Sequence, residues 1–209
     1  MGKKKCLVTG HKGYIGSHLY RALLNRDDCD VIGIDSKDVW NSDILKMFSG
    51  DPAYKHLQEK LEEWKPQYIF HLAAIPRVGE SIDNPVQTML NNVMAGSIIL
   101  DFAKKNGTTR VIYSSSSSVK GNGDGPLSPY AVQKYTTELE ASVYPDIYNV
   151  DTVSLRYFNV YSSNQSAEGD YATAVANWMK HIRDGKDPFI TGDGEQRRDM
   201  LHVDDAVAA

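Results

Sequence analysis

A doubly wound α/β fold is predicted by three features of the chain. Strand-like apolar runs alternate with helix-periodic stretches from end to end, a glycine-rich turn joins the first strand to the first helix, and the second strand closes on an acidic residue. Strands that alternate with helices run parallel, because a helical crossover returns the chain to the start of the next strand. With 209 residues, 41% of them hydrophobic, the chain can bury a proper core as one domain with a small appendage.

Residues 5–9, Lys-Cys-Leu-Val-Thr, read as a short buried strand that runs into Gly10-His11-Lys12-Gly13-Tyr14-Ile15-Gly16. Gly10 allows the tight turn, Gly13 lets the backbone approach a pyrophosphate, and Gly16 permits close packing of helix on strand. The helix that starts here offers free N–H groups and the positive end of its dipole. The glycines recur at every third position, which matches the G-x-G-x-x-G pattern only approximately, but a strand precedes the turn and Ile15, Leu19, Ala22 and Leu23 follow at helical spacing. Residues 30–35 form the next strand and end in Asp35, nineteen positions beyond Gly16, where a carboxylate accepting the adenosine ribose hydroxyls is expected. Its charge favours NAD by repelling a 2′-phosphate, although Lys37 stands nearby.

Further along, residues 52–64 are predicted as a helix and 67–73 as an apolar strand. Residues 84–105 form one long helix with Val86, Met89, Leu90, Val93, Ile98, Leu100 and Phe102 as its apolar positions, stopped by Gly107. Residues 110–113 are a strand leading into the serine run 114–118, the only low-complexity piece. A glycine-rich loop occupies 121–126, a helix 129–143, a strand 152–157 and a helix 171–183. Gly10, Ala73, Ser116 and Asn159 each follow a predicted strand, so function concentrates at that edge of the sheet.

The chemistry is carried by Tyr130-Ala131-Val132-Gln133-Lys134. Residues four apart share a helix face, so the Lys134 ammonium can favour the Tyr130 phenolate and lower a tyrosine pKa from about 10. Tyr130 then serves as a general base, and a serine hydroxyl from the preceding strand end can hold the same substrate oxygen. Charge sets further bounds. Lys and Arg total 23 against 27 Asp and Glu, a net charge of -4, which argues against a nucleic-acid surface. The basic cluster Lys3-Lys4-Lys5 precedes a short strand, so neither a targeting signal nor a membrane span is expected. Cys6 on a strand and Cys29 in a loop give neither metal-ligand spacing nor a disulfide framework; a reducing cytoplasm is the natural setting and no metal is expected.

The ordered set of motifs resembles the extended short-chain dehydrogenase/reductase family acting on nucleotide sugars, in particular its UDP-glucose 4-epimerases and their relatives. Besides the glycine turn and Tyr-x-x-x-Lys it comprises His71-Leu72-Ala73-Ala74, Ser81-Ile82-Asp83-Asn84-Pro85, Asn92-Val93 with Gly96, Leu155-Arg156-Tyr157-Phe158-Asn159-Val160-Tyr161, and Gly192-Asp193-Gly194 leading to Arg198-Asp199-Met200-Leu201-His202-Val203-Asp204-Asp205. The resemblance implies a Rossmann-like doubly wound sheet at 1–160 that holds NAD and the catalytic residues, and a reduced, truncated-looking substrate lobe at 161–209. It makes Tyr130 the base, Lys134 its partner and ribose ligand, and Ser116 the catalytic hydroxyl. It places Gly10, Gly13, Tyr14, Ile15, Gly16, Asp35, Ser36, Asp43, Ile44, Leu72, Ala73, Ala74, Asn92, Ser114, Tyr157 and Phe158 around the cofactor. Ser116, Tyr130, Asn159 and Arg198 fall to the substrate, a UDP-hexose by the same resemblance. Arginine suits a diphosphate through its planar fork; the alternative is an ion pair of Arg198 with Asp199. A homodimer through helices 84–105 and 129–143 is also implied.

The activity implied is C4 epimerisation through a 4-keto sugar. Dehydratases of the family usually carry an Asp-Glu pair after the catalytic hydroxyl, where this chain has Ser117-Ser118. A 4,6-dehydratase, a small-carbonyl reductase and a nucleotide-sensing protein without turnover are the alternatives. Lys120, the short loop before Ser128 and Ser162-Ser163 depart from the family pattern near the sugar pocket, and relatives continue past Ala209.

Overall fold

The computed structural model describes residues 2–35, 55–121, 123–163, 165, 174–190 and 192–209. Contacts divide the chain into two units, Met1–Arg156 and Tyr157–Ala209.

The first unit is a sheet of five strands flanked by helices. Strand β1 (Lys4–Thr9) is followed by α1 (Tyr14–Leu24), β2 (Cys29–Ile34), α2 (Lys55–Trp64) and β3 (Tyr68–His71). Then come α3 (Val78–Asp83), α4 (Pro85–Met89), a π turn (Leu90–Met94) and α5 (Ala95–Asn106). Strand β4 (Arg110–Ser116), a 3-10 turn (Ser117–Lys120), α6 (Pro129–Ser142), α7 (Tyr144–Tyr148) and β5 (Asp151–Tyr157) complete it. The strand order is β2-β1-β3-β4-β5. β1 runs parallel to β2, from Lys4 opposite Cys29 to Thr9 opposite Ile34, and to β3, from Cys6 opposite Tyr68 to Thr9 opposite His71. The chain leaves β1 toward one side of the sheet and returns on the other as β3. The crevice beyond the carboxyl ends of β1 and β3 is therefore the topological switch point, where such sheets bind their ligands.

Burial explains why these strands lie centrally. Leu7, Val8 and Ile69 have no exposed surface, and Leu7 and Ile69 pack with Leu61, Ile99, Leu100, Phe102 and Val111 into one core between sheet and helices. Covering a sheet on both faces demands such near-continuous apolar strands. Helix α6 begins as its sequence dictates: Pro129 opens the first turn, and the Ser128 hydroxyl accepts the Ala131 N–H at 3.2 Å. Helix α5 ends on Gly107 in the left-handed region, φ 66°.

Several expectations are corrected. The long helix 84–105 is not uniform: α4 and α5 are joined by the π turn Leu90–Met94. Cys29 is not in a loop but opens β2, buried. The serine run is no linker, for Ser114, Ser115 and Ser116 finish β4 and Ser117 and Ser118 start the 3-10 turn. Helices α3 and α7 were not expected. The first residues of the helix expected at 52–64 lie outside the described residues, as do those of the helix expected at 171–183.

The second unit contains β6 (Asn159–Tyr161), α8 (Ala174–Arg183), β7 (Met200–His202) and α9 (Val203–Ala208). β6 and β7 pair in parallel, Asn159 opposite Met200 and Tyr161 opposite His202. Among the described residues no helix is long and apolar enough to cross a membrane, and no group of His, Cys, Asp and Glu could hold a metal ion.

Candidate functional site

At the switch point the backbone is packed so tightly that only glycine fits. Gly10 has φ 75°, and a Cβ there would lie 2.7 Å from the Ala73 nitrogen, at the start of the segment that leaves β3. A Cβ on Gly16 would stand 2.1 Å from the Gly10 carbonyl oxygen, and one on Gly13 would stand 3.1 Å from the same atom. Gly16 therefore seats the first turn of α1 against the glycine turn itself, not against the strand as the sequence suggested. The Gly13 N–H closes the turn onto the Gly10 carbonyl at 2.9 Å. No side chain caps α1 at Gly13 and no acidic residue occupies its first turn, so its positive end stays open to an anion. Across the turn the buried Asp35 carboxylate accepts the Lys12 N–H at 2.9 Å. The Thr9 hydroxyl lies 2.7 Å from His71 Nδ1 and accepts the Ala73 N–H at 3.3 Å, which ties the ends of β1 and β3 together. Burial pushes the His71 imidazole down to about 3, so it is neutral. A side-chain-free cradle, an uncapped helix end and a carboxylate at the end of β2 fit a dinucleotide. Ser36, Asp43 and Ile44 lie outside the described residues.

The Ser-Tyr-Lys set comes together beside this turn. Tyr130 and Lys134 sit one helical turn apart on α6, 8% and 3% exposed. The Tyr130 N–H donates to the Ser81 hydroxyl at 3.0 Å, so α3 fixes the start of α6. Lys134 Nζ donates to the Ser114 carbonyl at 2.8 Å and lies 4.9 Å from the centre of the Tyr113 ring. It stands 5.9 Å from the centre of the Tyr130 ring. Ser116 accepts both the Ser118 N–H at 3.2 Å and the Ser118 hydroxyl at 2.9 Å, which leaves its own proton to be given away.

The electrostatics overturn one expectation. Lys134 is not what favours the Tyr130 phenolate: burial raises the Tyr130 pKa, and the opposing pull comes from the Ser116 hydroxyl hydrogen-bonded to the phenol and from the Arg77 guanidinium. Lys134 itself is pushed down to about 7 by its burial, against the attraction of Glu138. Burial thus works against the charged form of the lysine that the spacing alone places beside the phenol.

Asn92, expected beside the cofactor, is fully enclosed in the π turn. Its Oδ1 accepts the Ile75 N–H at 2.8 Å, and its Nδ2 donates to the Ile75 carbonyl at 3.1 Å and to Gln133 Oε1 at 2.8 Å. It thereby clamps the segment after Leu72, Ala73 and Ala74 to α6. The π turn, a geometry that recurs at functional sites, aims the Asn92 amide inward. Arg77 and Glu138 were missed because no motif contains them, and Ser81 and Gln133, although they lie inside quoted motifs, were given no role there.

In the second unit, Asn159 donates through Nδ2 to the Asp199 carbonyl at 3.0 Å, and Arg198 donates through Nη1 to the Arg197 carbonyl at 2.7 Å. Tyr157 ends β5, and Phe158 is 45% exposed.

The fold and this crevice define a dinucleotide-binding α/β protein with a buried Ser-Tyr-Lys site. Residues 6–209 match the model of the NAD dependent epimerase/dehydratase family. UDP-glucose 4-epimerase of Mycolicibacterium smegmatis is 33% identical over 98% of this chain and 71% of its own length. Among solved structures, UDP-glucose 4-epimerase of Thermotoga maritima with UDP-glucose superposes with a TM-score of 0.86 at 29% identity, covering 98% of this chain and 71% of that one. UDP-N-acetylglucosamine 4-epimerase of Methanobrevibacter ruminantium M1, in complex with UDP-N-acetylmuramic acid, gives 0.83 at 33% identity over 100% and 72%. The chain belongs to the NAD-dependent epimerase/dehydratase family of nucleotide-sugar enzymes, within the extended short-chain dehydrogenases/reductases.

Proposed function

We propose that the protein inverts the C4 carbon of a UDP-hexose of the glucose/galactose type. The observation that carries this reading is the Ser116-Tyr130-Lys134 cluster in which the two residues after Ser116 are serines on a 3-10 turn, where dehydratases usually carry an Asp-Glu pair. Elimination of water needs an additional acid and base; transfer of one proton to and from a C4 oxygen does not.

Burial keeps the proton on Tyr130, the form that returns a proton to the C4 oxygen, while Ser116 and Arg77 favour the phenolate that takes one. Both directions are used in a single turnover. The Ser116 hydroxyl holds the C4 oxygen, and Lys134, fastened to the Ser114 carbonyl, holds the cofactor ribose beside Tyr130. Gly10, Gly13 and Gly16 with Tyr14 and Ile15 would cradle the pyrophosphate, Asp35 would take the adenosine ribose, and Leu72, Ala73, Ala74 and Ser114 would line the cofactor channel. The chemistry supplied by bound NAD would be acceptance of the C4 hydride, giving NADH and a 4-keto sugar, and return of that hydride from NADH. By the family resemblance Tyr157 and Phe158 fall to the cofactor, and Asn159 and Arg198 to the nucleotide-sugar diphosphate. Purified chain incubated with UDP-galactose and NAD is expected to form UDP-glucose without net NADH, read by chromatography. Absence of product with NAD bound would overturn this substrate.

A second reading, a hexuronic acid as the sugar, is favoured by Arg77, whose charge acts on the Tyr130 phenol. UDP-glucuronate in the same assay separates the two.

We also infer a homodimer. Val86 (72% exposed), Met89, Leu90 and Met94 stand out from the helical run 85–106, and Val132, Leu139 (53% exposed) and Val143 stand out along and just after α6. Apolar residues on two such helices are what a second copy of the same pair would bury. Light scattering is expected to give twice the chain mass, and Val86→Asp with Leu139→Asp to give the monomer. A wild-type monomer would exclude the pairing.

A further inference from the structure

One turn beyond Lys134 on α6 stands Glu138, 8% exposed, a carboxylate that no motif singles out. It accepts a short hydrogen bond from the Ser115 hydroxyl on β4. Arg156 on β5 grips it from the other side, with Nε at 2.9 and 3.1 Å from its two oxygens and Nη2 at 2.6 Å. Ser115 lies between Ser114, whose carbonyl takes the Lys134 ammonium, and Ser116. One carboxylate thus joins the helix that carries Tyr130 and Lys134 to the strand end that carries Ser116.

We propose that Glu138 is a positioning residue that sets a negative charge one turn from the Lys134 ammonium and holds the Ser114–Ser116 strand end in register with α6, with Arg156 as its latch. The proposal rests on the reading of Tyr130, Lys134 and Ser116 as the catalytic set.

The alternative, a purely structural ion pair, accounts for the Arg156 contact but not for the placement. A buried pair that served only to join α6 to β5 has no need to share its carboxylate with Ser115 or to sit one turn from a buried ammonium. The groups facing Lys134 are His71 from β3, Tyr113 from β4, and Tyr130 and Glu138 from α6. His71 is neutral, and Tyr113, its pKa raised by burial, keeps its proton. Glu138 is therefore the one negative charge among these four. Burial works against the ammonium and Glu138 works for it, so a change in either moves the titration of Lys134. Arg156, 33% exposed at its side chain, faces Glu138 from β5 and moderates its field from the solvent side.

Neutralising Glu138 removes the term that favours protonated Lys134, so the lysine loses its proton at lower pH. Removing the Arg156 charge leaves the carboxylate uncompensated, and the lysine holds its proton to higher pH. The direct measurement is the NMR titration of the Lys134 side-chain 13Cε and 15Nζ signals in the full chain, assigned by their loss in Lys134→Met.

In Glu138→Gln, which keeps an acceptor for Ser115, the midpoint is expected to fall by about one pH unit, the scale set by an opposite charge a few ångströms away. The alkaline limb of UDP-galactose turnover moves down with it, while Glu138→Asp, which retains the charge, restores much of the shift. An unchanged Lys134 midpoint in folded Glu138→Gln overturns the proposal. Should that variant fail to fold, Arg156→Met decides: a midpoint that rises supports Glu138 as the source of the field, and one that stays put rejects it. If the wild-type chain leaves UDP-galactose untouched, the substrate reading fails and the NMR midpoints still decide the role of Glu138.

Discussion

Tyr130→Phe is expected to lower turnover by about 10²- to 10⁴-fold, the span general acid–base catalysis contributes, with NAD binding close to wild type. The separation is clean because the ring keeps its place without the hydroxyl. Tyr130 is 8% exposed, its backbone N–H is fastened to Ser81, and its helix is capped by Ser128. Phenylalanine fills the same slot without the hydroxyl. Only the proton path is removed. Single-turnover kinetics with a nucleotide sugar, beside calorimetric titration with NAD, reads the two properties independently. A protein that only senses nucleotides has no step for the phenol to serve, so a variant indistinguishable from wild type in every assay would point to that class. A variant that also lost NAD would show that the hydroxyl is structural.

What the sequence disclosed follows from how local each physical demand is. A turn that must bring α1 and β1 onto the segment after β3 has no room for a Cβ at Gly10 or Gly16, and that demand is written in the residue type itself. Apolar runs such as Cys6-Leu7-Val8 had to lie in a sheet covered on both sides, so the fold class was legible. The π turn at Leu90–Met94 was not, because its residues are ordinary helix formers and the extra residue is fixed by what Asn92 must reach, the Ile75 backbone seventeen positions away. The helix at Val78–Asp83 was hidden for the opposite reason: one turn and a half is too short to show a period.

The charge state of the site was misread for a third reason. Spacing places Lys134 on the face of Tyr130, but burial in the folded chain works against its charge, and no four-residue motif encodes that. Glu138 was invisible on similar grounds. It continues the four-residue spacing that relates Tyr130 to Lys134, yet only the sheet shows that its partners are Ser115 and Arg156.

Gly16→Ala is expected to cost about 3 kcal/mol or more, a drop of about 6–12 °C in Tm for a chain of this size, and to weaken NAD binding by about tenfold for each 1.4 kcal/mol of turn distortion. The added methyl would stand 2.1 Å from the Gly10 carbonyl oxygen, 2.9 Å from its carbon and 3.2 Å from the His11 Cα. All three are backbone atoms of the turn, so no rotamer change relieves the overlap; either α1 tilts away or the turn opens. Opening is resisted at both ends, by the Gly10 N–H on the Ile34 carbonyl at 2.7 Å and by the Gly13 N–H on the Gly10 carbonyl at 2.9 Å. Both escapes move the N–H groups at the start of α1 away from where a pyrophosphate would lie. Gly79→Ala is the matched control: it sits on α3 with nothing within 4 Å of the added Cβ, and helix propensity favours alanine by about 1 kcal/mol. Thermal unfolding and NAD titration of the two variants test whether steric exclusion at the turn, and not loss of glycine as such, sets cofactor affinity. If Gly16→Ala binds NAD as Gly79→Ala does, the cradle lies elsewhere.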